Sequence, residues 1–376
     1  MKELHYDKDR VAQARDLRAR WYKGEKTGRT PFIFNVPAPV SNGWLAANPY
    51  SFREIIADSA KAVEGNILSI QHQLETFPDC DYLPMMNTFY FGEGILASMY
   101  GAEQQIEENV PPFTKGRFFK DIRDAQRIHN NFDVEATEWG AKLKEHTQRF
   151  VEATRGEIPV GVADYQSPYG TATKLLPNEE LMLAMYDEPE LLDNFLTVVT
   201  DGIIKLIAAM ERWVGPECVA RNHANPIPGE PGVILWDDYI SVITPELHAK
   251  HCAPHNKRLF ARYGTGHLHT CGPYFPSYID ACLASEPRSM DVTIMRGFGK
   301  TREDLFRFCE IATQNNILLL AGWMLVYENS VFEKGAVHAD DDLWAAYVRG
   351  GHMPMASGSF EDGIKFKETV NRLRNP

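Results

Sequence analysis

The sequence predicts an α/β fold, a single (β/α)8 TIM barrel. Three observations carry this: eight short apolar runs, helical patterns between them with their own caps, and no glycine-rich phosphate turn after the first run. The runs are PFIFNV (31–36), YLPMMN (82–87), IPVGVAD (158–164), GVILWDD (232–238), GHLHTC (266–271), SMDVTI (289–294), NILLLAG (316–322) and HMPMAS (352–357). Each has the length and apolar content of a strand buried on both faces, and NILSI (66–70) competes with the second.

The helices between them are marked at their ends. Thr244 followed by Pro245 reads as an N-cap and first helical residue, with Gly264 as the stop. Thr301 with Asp304 resembles a capping box ahead of Leu305 and Phe308. Asp187 and Pro189 open another helix with Leu192, Phe195 and Val199 on one face, and Asp133 to Gly156 frames one rich in charge. A doubly wound open sheet would need fewer strands and usually a GxGxxG turn, which PAPVSNGWL does not supply. Residues 1–376 are therefore expected to form one domain, with 1–28 a helical extension and 37–157 helices and loops inserted over the C-terminal mouth.

A length of 376 residues is ample for one large core, and 44% hydrophobic with 24% charged residues is ordinary globular composition. The net charge of −12, without a basic stripe, argues against nucleic acid as a partner. No stretch approaches the roughly 20 apolar residues of a membrane span, and the N-terminus has no apolar targeting core, so a cytoplasmic protein is expected. Six scattered cysteines fit a reducing compartment. Whether the chain forms a homodimer is left open.

Barrel enzymes keep their chemistry at the C-terminal strand ends. The richest such end is GTGHLHTCGP (264–273), where His269 and Cys271, two apart in extended chain, point the same way. Imidazole and thiolate are ligands that zinc prefers, although a bare HxC also describes a buried histidine beside a core cysteine. The fourth run ends in Asp237 and Asp238, of which at most one is expected to face inward as a base, proton donor or ligand, the other reading being a turn-capping carboxylate or a solvated pair. Upstream, His223, Asn225 and Glu230 lie in a loop rich in proline and glycine. Asp164 ends the third run, with backbone capping as its simpler role. Aromatic residues crowd the same ends, namely Phe34, Trp44, Phe89, Tyr90, Phe91, Tyr165, Tyr169, Tyr239 and Trp323, a wall suited to a planar apolar substrate.

With GHLHTCG and the preceding VILWDDYISVITPELHAKHCAPHNKRLF, the sequence resembles the uroporphyrinogen decarboxylase superfamily. Further likeness lies in DYLPMMNTFYFGEGILASMYGAE (81–103) and YQSPYGTATKLLPNEELMLAMYDEPELLDNFL (165–196). The branch it looks closer to is that of the zinc methyltransferases that work with methylcobamide. The decarboxylase branch opens its barrel with an arginine-bearing segment, whereas TPFIFNVPAPVSNGWL here has no arginine after Arg29. In the methyltransferases HxCG supplies two zinc ligands, matched here by His269, Cys271 and Gly272, and a last-strand cysteine supplies a third. That position reads Ser357, Gly358, Ser359, so the resemblance leaves the set to be completed by His352, Glu230, Asp237 or His223, or leaves the metal absent. It implies a divalent metal, expected to be zinc, and a corrinoid carried by a partner protein. The implied activity is demethylation of a small methoxylated aromatic, with His269 assisting the leaving group. The alternative is a carboxy-lyase acting on a small carboxylate, with Asp237 or Asp238 as proton donor, and a third reading is a non-catalytic scaffold.

Overall fold

The computed structural model describes residues 4–38, 41–42, 45–221, 232–270, 278–292, 302–321, 325–326, 337–338 and 341–374. Its strands are parallel wherever they build the core. Val233–Trp236, Gly266–Thr270, Ser289–Val292 and Leu318–Ala321 form one four-stranded parallel sheet. Ile33–Asn35, Met355–Ser357, Leu325–Val326 and Val337–His338 form a second, and Val160–Gly161 pairs with Val219–Ala220. Single contacts join these pieces. Asp81 N donates to Phe32 O at 2.9 Å, Ile234 N donates to Arg221 O at 3.1 Å, and isolated bridges link Met86 to Val160 and Leu320 to Met353.

Among the described residues the ladders do not run as one continuous closed sheet, so the architecture is a parallel α/β fold that is lighter in strand than the sequence predicts. The run 82–87 contributes only the Met86 bridge. Pro84 explains part of this, since proline cannot donate to a ladder. The short strands Val219–Ala220, Leu325–Val326 and Val337–His338 answer to none of the eight runs.

Between residues 37 and 157 the chain is mainly helical, with helices Phe52–Ala57, Ser59–Thr76, Ile95–Met99 and Glu138–Thr154 and two small antiparallel ribbons. Helix starts follow side-chain chemistry. Ser51 and Glu54 form a capping box, and Thr137 caps Glu138–Thr154 through Gly140 N. Thr244 caps Pro245–His251 as the sequence suggests, but that helix breaks at Cys252 and restarts as Ala253–Tyr263 before Gly264 at φ 84°. Pro189 opens Pro189–Val214, whose cap position is Glu188 rather than Asp187. The capping pair Thr301 and Asp304 falls partly outside the described residues.

The core is a large cluster between strands and surrounding helices, plus a smaller one in which residues between 97 and 128 pack against the helices that follow residue 168. Gly266 is required by packing, because a Cβ there would sit 1.8 Å from the Phe260 ring. No described helix is long and apolar enough to cross a membrane. The described cysteines, Cys80, Cys218, Cys252, Cys282 and Cys309, are free thiols.

Candidate active site

Strand alternation puts His267 and His269 on one face of Gly266–Thr270, and the parallel register sets Asp291 beside His269 and Ser289 beside His267. The four side chains form a buried column. Asp291 Oδ1 lies 2.7 Å from His267 Nε2, and Oδ2 lies 2.8 Å from His269 Nδ1. A carboxylate has no proton to give, so both imidazoles donate to it. His269 carries a proton on Nδ1, and Asp291 holds it there. Burial alone pushes the Asp291 carboxyl up. The charge of His269 and hydrogen bonds from His267 and His269 outweigh it, holding Asp291 well below the usual carboxylate range.

Beneath the column, the Ser289 hydroxyl bridges His267 Nδ1 at 2.8 Å and the Tyr22 hydroxyl at 3.2 Å. Tyr22 ends the helix Lys8–Tyr22, and its carbonyl accepts two bonds from the Arg288 guanidinium, at 3.1 and 2.9 Å. A cation at a helix C-terminus is favoured by the unsatisfied carbonyls there. Above the column, the Trp236 ring lies 3.8 Å from that of His269 at 38°, and Phe89 packs 6.3 Å from Trp236. His269 thus stands between a carboxylate anchor and an aromatic wall.

The neighbouring strand end splits its two aspartates. Asp237 is fully buried and turned toward helices, receiving Ser167 Oγ at 3.1 Å and Asn256 Nδ2 at 2.8 Å and pairing with His248 Nε2 at 2.9 Å. Its backbone N–H donates to His269 O at 2.8 Å. Asp237 therefore ties the strand end to the helices, with both oxygens engaged in hydrogen bonds. Asp238 follows in a short 3-10 turn and is half-buried. His352 is likewise committed: Leu319 N donates to its Nδ1 at 3.1 Å, its Nε2 faces Thr313 and Cys309 O, and burial lowers its pKa to about 4. Ser359 Oγ donates to Asp362 at 2.8 Å at the start of the last helix, which occupies the expected place of a third cysteine.

The aromatic wall is also redistributed. Phe34, on the strand Ile33–Asn35, packs against Phe77 and Phe366, and Phe91 packs against Trp139 and His146. Tyr165 is buried with its hydroxyl donating to Ile234 O at 2.8 Å, and Tyr239 packs edge-on to Tyr169 under Lys174. Of the aromatic candidates, Phe89 stands near His269, joined by Trp236. Cys271, His223, Glu230, Trp44 and Trp323 lie outside the described residues. Among the described residues no group of three or more His, Cys, Asp or Glu is set to hold a metal ion.

Sequence reasoning missed Asp291, His267, His248, Asn256 and Trp236. The signal for Asp291 was a carboxylate inside the apolar run SMDVTI, and for His248 and Asn256 two polar residues eight apart in the helical stretch that Thr244 opens. Trp236 hid among the apolar residues of VILW.

No family profile matches the sequence, and no curated protein matches it. Among solved structures, the chain is similar to a methyltransferase from Methanosarcina mazei, with a TM-score of 0.64 and 13% identity over 96% of this chain and 97% of that one. At that identity the likeness speaks for the fold.

Proposed function

We propose that the protein is a methyltransferase that takes the methyl group of a small methoxylated aromatic and delivers it to the reduced cobalt of a corrinoid carried by a partner protein. The observation that carries this reading is the clamp of Asp291 on His269 Nδ1, at the strand end bearing HxCG. The likeness to a methyltransferase over nearly the whole chain supports it. We infer further that the strands close into a barrel, supported by the contacts of Asp81 with Phe32, Met86 with Val160, Arg221 with Ile234 and Leu320 with Met353, which join ladder to ladder.

A histidine whose Nδ1–H is held by a carboxylate is oriented and made more basic at Nε2, the arrangement typical of metal-ligating histidines. His269 fits a zinc ion on that ground, with Cys271 as thiolate partner and His223 or Glu230 to complete the set. When bound, the metal supplies a Lewis acid for the oxygen that leaves. The chain's own contributions are separable from it. Trp236 and Phe89 hold the ring by burial and stacking, and Trp236 keeps His269 from swinging off Asp291. The column below excludes water from the rear of His269.

In the carboxy-lyase reading, Asp237 or Asp238 is the proton donor. The test is direct. Mixed with a reduced corrinoid protein and a methoxyarene, the enzyme is expected to form methylcobalt, read by absorbance, and the free phenol, read by chromatography. His269→Ala is expected to lose at least 100-fold, the lower end of what acid catalysis or a metal contact supplies. Carbon dioxide released from a carboxylated substrate without corrinoid protein would replace this reading with the lyase.

A further inference from the structure

The carboxylate of Asp291 is held at both oxygens, Oδ2 by His269 Nδ1 at 2.8 Å and Oδ1 by His267 Nε2 at 2.7 Å. The terminal torsion of an aspartate is broad, so one hydrogen bond leaves the carboxylate plane free to turn and the second sets it. The His269 ring torsion is equally broad, and its orientation follows that of the carboxylate it donates to. His267 therefore bears on His269 without touching it.

His267 is itself held at both nitrogens. Ser289 Oγ lies 2.8 Å from its Nδ1 and 3.2 Å from the Tyr22 hydroxyl, which reaches Thr265 Oγ1 at 3.5 Å. The chain Tyr22, Ser289, His267, Asp291, His269 is continuous, and all five side chains are buried. It exists because residues 267 and 269 share one face of their strand and pair in register with 289 and 291 on the next. An apolar side chain at 267 would fill the same interior at lower cost than an imidazole that must be satisfied at two nitrogens. Two residues of strand set His267 about 6.6 Å deeper than His269, below the strand end where a substrate would lie.

We propose that His267 is a positioning residue of this site: fixed from behind by Ser289 and Tyr22, it sets the plane of Asp291 and through it the orientation of His269. The inference rests on the methyl-transfer reading, in which His269 holds a metal. Its action is by geometry, with no proton leaving the chain. Without His267, Asp291 keeps a single partner in the column and turns, and His269 turns with it.

The experiment uses the full chain, purified metal-free, as wild type, His267→Leu, His267→Gln, Asp291→Asn and the double variant His267→Leu with Asp291→Asn, and zinc alone as the probe. In competition with a chromophoric chelator, His267→Leu is expected to weaken zinc binding about 10-fold. His267→Gln, whose amide nitrogen can donate to Oδ1 in place of Nε2, is expected to stay within about threefold of wild type. In the Asp291→Asn background His267→Leu is expected to add less than about twofold, because its effect passes through the carboxylate. A readout free of metal accompanies these: the Nδ1–H resonance of His269 in the nitrogen-15-labelled protein is expected to persist in His267→Gln and to be lost by solvent exchange in His267→Leu. If His267→Leu does not fold, Ser289→Ala, which removes only the hydroxyl at Nδ1, takes its place with an expected loss of about threefold. Equal losses in the Leu and Gln variants, a loss of the same size in the Asp291→Asn background, or an unaltered Nδ1–H in a folded His267→Leu overturns the role. A wild type that binds no zinc or turns over no methoxyarene overturns the reading of His269, and the ring-proton comparison then decides by itself whether His267 positions it.

Discussion

Asp291 and His269 sit side by side on adjacent parallel strands, with Oδ2 of the carboxylate 2.8 Å from Nδ1 of the ring, and this pairing decides which nitrogen His269 can offer. Replacing Asp291 with Asn frees the ring to rotate and removes the basicity that the carboxylate lends. Zinc affinity of the purified protein is expected to fall about 10-fold to 100-fold in competition with a chromophoric chelator. Unchanged affinity would remove His269 from the metal site.

The same carboxylate gives a signature in acid. Its pKa is depressed in the folded state, so its contribution to stability is present above the unfolded value near 4 and is lost as pH falls below it. The stability gap between wild type and Asp291→Asn is expected to narrow between about pH 5 and pH 3, read from urea midpoints. A gap that widens in acid would show that Asp291 is not held as the anion.

Asp164 behaves in the opposite sense. Burial raises its folded value to about 7, above the unfolded value near 4, so its contribution is complete below about 4 and is lost as pH rises through 7. Asp164→Asn is expected to become more stable relative to wild type on going from pH 5 to pH 8, by comparison of urea midpoints. A difference independent of pH would place the carboxyl at an ordinary value.

Trp236 is expected to act through the substrate ring. Trp236→Phe keeps an aromatic face, and a several-fold rise in KM with little change in kcat is anticipated, whereas Trp236→Ala is expected to destabilise the fold by about 3 to 5 kcal/mol. Steady-state kinetics and thermal melts separate the two, and an unaltered KM in the Phe variant would count against the stacking role.

Asp237 is expected to matter for folding more than for chemistry. Asp237→Ala orphans His248, Asn256 and Ser167 in the interior, at a cost of about 3 kcal/mol. Its melting temperature should drop, while turnover measured well below the melt stays within about tenfold of wild type, a smaller loss than general acid–base catalysis typically contributes. A well-folded but inactive variant would return Asp237 to the reaction.

Much of the fold could be read from the chain because apolar runs and caps are local signals. Thr244 with Pro245, Gly264 and the strands around 233–236, 266–270, 289–292 and 318–321 stand where their residues suggest. Ladder length is not local, so Pro84 and the short strand Val219–Ala220 altered the pattern unannounced. Within the site, His269 could be named from its motif, but Asp291 could not. Its importance comes from the register of a neighbouring strand twenty-two residues away in the chain. The roles of Asp237 and Asp238 turned on which way a strand end rotates, and a sequence of two adjacent carboxylates does not record that rotation.

Lys8–Tyr22 reads as a charged appendage in the sequence, yet its last residue is the floor tile under the candidate site. Tyr22 plugs the column through Ser289, Arg288 locks its carbonyl, and Trp21 Nε1 donates to Gly351 O at 2.6 Å on the opposite side. A truncation that trims this segment as dispensable would pull the plug and let water rise from beneath to Asp291 and His269.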